Sequence, residues 1–214
     1  MLERAYLTIA FLMSYSQFEN LEQAIDAFEL TVVESVFLPA MAAVFPSEML
    51  LTFLHRSVPI VSAASEKARS EGIIYPVLLE VRDLLKDQIS LFSGRDFNVD
   101  ATIGLNGIVD FLICRSPIVS VPSAPAVILV EAKKADIASG YGQCVAEMVA
   151  AQRFNHQKGT RNLPVYGCVT NGLLWRFLKL DQQTVTIDLI DYGLNPLGDL
   201  LAKLMWIASA TEVE

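Results

Sequence analysis

Five consecutive apolar residues, Ala126-Val127-Ile128-Leu129-Val130, run directly into Glu131-Ala132-Lys133-Lys134. An apolar run of this length, preceded by a Pro/Ser-rich stretch over 116–125, reads as a central strand buried on both faces. The charges that follow are costly in a core unless they find partners. A strand that leaves the core at the rim of a cleft resolves the conflict. Residues two apart on a strand share a face, so Glu131 and Lys133 project together while Ala132 faces the other way.

The rest of the chain fits around that strand. Residues 1–60 read as helical, because Leu21, Ile25, Phe28, Val32, Val33 and Val36 recur at helical spacing with acids between them. Pro39, Pro46 and Pro59 punctuate this region. Residues 1–62 are expected to form a helical extension that packs on the core or makes a dimer, and 63–214 the main domain. Ser65 is an N-cap candidate for a helix over 66–90, with Pro76 predicting a kink or break near Tyr75. Alternation over 97–103 predicts a strand, Asn106-Gly107 a hairpin turn, and 108–114 the returning strand. A helix is expected over 140–155 and strands over 165–170, 174–180 and 184–190. A final helix over 197–208 closes the chain. The order predicts an α/β fold, an αβββαβ core with a mixed central sheet.

Asp110 is a single acid inside the apolar run Ile108-Val109-Asp110-Phe111-Leu112-Ile113. Pairing its strand with the next can set it beside Glu131. Two carboxylates that close repel unless a cation or a proton lies between them. Mg²⁺, a hard oxygen-loving ion that keeps several waters, suits them. Lys133 could then steady a phosphate oxygen or act on a water. Taken singly, an acid such as Asp110 is more often a hairpin-edge or surface residue, and Glu131 with Lys133 more often a salt pair at a sheet end.

The order Asp110, apolar strand, Glu131-Ala132-Lys133, helix resembles the signature of the PD-(D/E)xK nuclease superfamily, which has the restriction-endonuclease-like fold. The stretch Ser65-Glu66-Lys67-Ala68-Arg69-Ser70-Glu71-Gly72-Ile73-Ile74 resembles the first helix of nuclease domains in type I restriction subunits. The resemblance covers about residues 66–180. Val109 stands where the motif's name has proline. It implies a Mg²⁺- or Mn²⁺-dependent deoxyribonuclease with DNA as partner. It implies Asp110, Glu131 and the Ala132 carbonyl as metal ligands, with Glu66 completing the site and Glu80 as second choice. Lys133 would act on the water or phosphate. Gly140-Tyr141-Gly142-Gln143 resembles the start of the family's next helix, where Gln143 would orient a water or a phosphate.

Charge supports a rival. The net charge is −8, whereas nucleic-acid binders usually carry a basic footprint. A catalytically weak nuclease-like scaffold serving as a binding or assembly module is therefore the second reading, and an RNA-directed nuclease the third. Hydrophobic residues make up 53% of the chain, enough for a large core and a buried surface between copies, so a homo-oligomer is expected. Cys114, Cys144 and Cys168 form no CxxC pair and read as buried thiols of a reducing cytoplasm. The apolar run 5–13 is too short to span a bilayer, and no membrane partner is expected. Neither a Ser/His/Asp arrangement nor a phosphate-binding Gly-rich loop is present.

Overall fold

The computed structural model describes residues 14–133, 136–160 and 163–209. The apolar run 5–13 and Lys134 lie outside the described residues. The fold is mixed α/β, as the pattern predicts. Helix α1 (Leu21–Phe28) leads to strand β1 (Thr31–Glu34) and helix α2 (Glu48–Val61). A long helical stretch follows, made of α3 (Glu66–Arg69), a π-helical segment (Ser70–Ile74) and α4 (Tyr75–Leu84). Then come β2 (Ser90–Asp96), β3 (Ile108–Cys114), β4 (Ala126–Ala132), α5 (Tyr141–Gln157), β5 (Val165–Thr170), β6 (Leu174–Asp181), β7 (Thr184–Gly193) and α6 (Leu197–Ser209).

Among the described residues, seven strands form one sheet in the order β1-β7-β6-β5-β4-β3-β2. The β4–β5 and β1–β7 pairs are parallel and the others antiparallel. Helix α5 is the crossover that parallel pairing of β4 with β5 requires. Two apolar clusters cover the sheet. One takes in α2, α4 and α6, and the other α1 and α5. Trp175 and Phe177 are fully buried core residues. All three cysteines are buried and free. Among the described residues, no helix is long and apolar enough to cross a membrane.

Six expectations need correction. The helical reading of 1–60 misses β1: α1 ends where Glu29 turns left-handed (φ 53°), and Thr31–Glu34 then pairs with β7. β-Branched Thr31, Val32 and Val33 suit that strand better than the helix to which their spacing assigns them. Pro59 does not break α2, which continues to Val61. Pro76 is absorbed by the π-helical segment, where the Tyr75 N–H bonds the Ser70 carbonyl, so the break near Tyr75 is a change of helical winding.

Finally, the helix expected over 66–90 stops at Leu84, and Lys86 and Asp87 (φ 53° and 59°) reverse the chain. The strand expected over 97–103 is displaced to Ser90–Asp96. Residues 97–103 instead hold a short 3-10 turn at Ala101–Ile103, begun by Asp100, whose Oδ1 accepts the Thr102 N–H at 3.1 Å. Asn106-Gly107 ends this longer connection and is not a two-residue hairpin turn.

Candidate active site

The register of the central strands brings the motif residues together. Phe111 pairs with Val130, and one step further along this antiparallel ladder sets Asp110 across from Glu131. The ladder gives way there: the Ala132 N–H donates to the Asp110 side chain, at 2.9 Å to Oδ2. Glu131 is only 2% exposed. Its Oε1 meets Lys133 Nζ at 2.5 Å and its Oε2 accepts from Gln143 Nε2 at 2.9 Å. The shared face predicted for Glu131 and Lys133 is thus realised as a direct ion pair.

Helix α5 supplies Gln143 from its first turn. Close packing at the start of this helix makes room for Lys133. A Cβ on Gly140 would lie 2.6 Å from Val169 Cγ1 and 3.1 Å from Lys133 Cε, so a side chain there would press on the lysine stem.

Burial and mutual repulsion govern the electrostatics. Burial, reinforced by the Asp110 charge, pushes the Glu131 carboxyl up to about 8, although Lys133 opposes the shift. Burial also raises Asp110, against the Ala132 N–H and Lys133. Burial disfavours the Lys133 cation, but the charges of Glu131, Glu66 and Asp110 outweigh it and raise its pKa. Lys133 is therefore firmly a cation, while Glu131 is poised between its two forms.

Glu66 is exposed at the start of α3, and its charge reaches both Glu131 and Lys133. It shares with Asp110 a cleft of about 370 Å³, also lined by Ser70, Tyr75 and Gly94. Gly94 stands opposite Asp110 in the β2–β3 register and adopts φ +59° with open space around it. Glu80, the second choice for this role, is engaged elsewhere. Its carboxylate accepts the Ser47 N–H at 2.6 Å and the Ser47 hydroxyl at 2.7 Å, anchoring the N-terminus of α2.

Sequence reasoning overlooks Glu147. It is fully buried on α5, its Oε1 accepts from Gln143 Nε2 at 3.1 Å, and its Oε2 has no hydrogen-bond partner among the described residues. Burial, with the Glu131 charge, holds it well above the usual carboxylate range. The available signal was its spacing of four from Gln143, which puts both side chains on one helix face.

Among the described residues, no group of three or more His, Cys, Asp or Glu side chains is gathered as a ready-made metal cage. What the site offers is a facing pair of carboxylates that repel each other. That arrangement fits Mg²⁺, which commonly takes one or two carboxylates and completes its shell with water and substrate oxygens. No protein-family model matches the chain, and no curated protein matches it either.

Proposed function

We propose that the chain is a divalent-metal-dependent deoxyribonuclease of the PD-(D/E)xK type. The observation that carries this reading is the meeting of Asp110, Glu131 and Lys133 at one point, with Gln143 on the same carboxylate. Asp110, Glu131 and the Ala132 carbonyl would hold Mg²⁺ or Mn²⁺, with Glu66 assisting from the cleft. The ion would polarise a phosphoryl oxygen and lower the pKa of a bound water.

The chain's own side chains account for the rest. Lys133 stays charged and can hold a non-bridging phosphate oxygen once released from Glu131. Gln143 keeps Glu131 oriented. The open cleft between α3 and β2 gives substrate a path to Asp110. The three buried free thiols suit a reducing, cytoplasmic setting.

The test is cleavage of labelled single- and double-stranded DNA, with RNA alongside, in Mg²⁺ or Mn²⁺. Wild type should cut DNA only with metal, and Asp110→Ala and Lys133→Ala should both lose that activity. Cutting that persists in either variant refutes the assignment.

The apolar surface around α2 favours a second reading, in which the same domain serves as an assembly module. Phe45 and Met49 are 92% and 83% exposed, and Phe53 and Ile60 are exposed nearby. Self-association would cover them. Light scattering that finds only monomer at high concentration would remove this reading.

A further inference from the structure

Glu147 is a buried carboxylate bonded to Gln143 that the proposed chemistry leaves without a task. Its placement is costly. It is wholly buried, and one of its oxygens finds no hydrogen-bond partner among the described residues. An apolar side chain of similar size would fill the same space without an unpaired buried oxygen. A residue that weakens the fold where it stands needs another reason to be there.

The reason lies in how the Gln143 amide is used. Its nitrogen carries two hydrogens. One faces Glu131 Oε2 at 2.9 Å and the other Glu147 Oε1 at 3.1 Å. With both hydrogens engaged, the amide cannot turn its carbonyl toward Glu131. Remove Glu147, and the amide keeps only its bond to Glu131, on a side chain with three rotatable torsions. Glu131 would then be held chiefly by Lys133, which the proposed chemistry needs for phosphate.

We infer that Glu147 is a positioning residue: it locks the Gln143 amide, and through it the Glu131 carboxylate that faces Asp110. This rests on the reading of Asp110 and Glu131 as a cation site and adds a supporting layer to it. Partners one step removed from a metal typically change its affinity by about 10- to 100-fold when lost.

The experiment uses the full chain carrying Glu147→Met or Glu147→Gln. Three readouts are taken: Mn²⁺ affinity by calorimetry, the thermal midpoint, and the ¹⁵N-resolved side-chain amide signals of Gln143. Those signals are assigned by their loss in Gln143→Glu. Glu147→Met should move the Gln143 signals and weaken Mn²⁺ binding by about tenfold or more, with a midpoint equal to or above wild type. Glu147→Gln keeps a carbonyl that can accept the same N–H, and should restore both the signals and the affinity.

Unmoved Gln143 signals with unchanged Mn²⁺ affinity in Glu147→Met would overturn the inference. So would a parallel fall in midpoint and affinity that Glu147→Gln fails to restore. A wild type that binds Mn²⁺ with this pattern but cuts no DNA would remove the nuclease reading and leave the positioning role standing. A wild type that binds no Mn²⁺ would remove the metal reading, and the Gln143 signals alone would then decide the positioning role.

Discussion

Replacing Glu131 by glutamine should reduce the pH dependence of stability in metal-free protein. Folded, this carboxyl ionises near pH 8, and its ordinary value is 4.5. Between those limits the folded state keeps a proton that the unfolded chain has released, so raising the pH favours unfolding. The penalty is absent below pH 4.5 and grows until pH passes the folded value. Each pH unit in the window costs about 1.4 kcal/mol, or on the order of 4 kcal/mol from pH 5 to pH 8. A domain stable by roughly 5–15 kcal/mol would lose a large share of its margin.

Urea unfolding in chelator at pH 5, 6, 7 and 8, followed through buried Trp175, measures this directly. Wild type should weaken steadily across the series, and Glu131→Gln should do so less, the slope that remains coming from Asp110 and Glu147, which burial also raises. A wild type whose stability is flat or rises over the window would refute the reasoning. So would a variant with the wild-type slope.

Four further outcomes follow from the same geometry. Under the proposed metal reading Mg²⁺ would compete with the proton on Glu131, so its stabilising effect should grow from pH 5 to pH 8, reaching about 2.7 kcal/mol at a hundredfold excess over Kd; melting with and without the ion checks this. Glu80→Ala should cost roughly 1–3 kcal/mol, because Ser47 loses both of its acceptors, while Mn²⁺ affinity is unchanged. Exposed Glu66→Gln should do the reverse, shifting stability by no more than about 0.5 kcal/mol while weakening Mn²⁺ binding, as paired calorimetry and urea titrations would show. Gly140→Ala should destabilise by about 1–3 kcal/mol through contact with Val169 and Lys133, and should depress metal-dependent cleavage by displacing the lysine.

Much of the sheet was legible because its buried strands carry their burial in their composition. The strands expected at 108–114 and 165–170 coincide with β3 and β5, and the apolar run of β4 was short by only the two residues of its charged exit. The two strands that escaped notice, β1 and β2, are the edges of the sheet. Ser90-Leu91-Phe92-Ser93-Gly94-Arg95-Asp96 is mostly exposed after Phe92, so it shows no sustained alternation. In β1, Val32 and Val33 satisfy helical and strand spacing alike, and only the left-handed Glu29 separates the two.

At the site, Glu131 and Lys133 could be paired from strand periodicity alone, and Asp110 from the hairpin-like order of its strands. Choosing Glu66 over Glu80 required knowing what Glu80 touches, and Ser47 lies 33 residues away. Glu147 is easily passed over for a related reason, despite its spacing of four from Gln143: a lone acid on a helix reads as solvated until tertiary packing closes over it.

The central claim is that Asp110 and Glu131 share a metal ion. Anomalous diffraction from crystals grown with Mn²⁺ tests it most directly. A peak is expected between the two carboxylates, with Lys133 Nζ drawn away from Glu131 Oε1. No peak there at saturating Mn²⁺, with the Lys133–Glu131 pair intact, would contradict it.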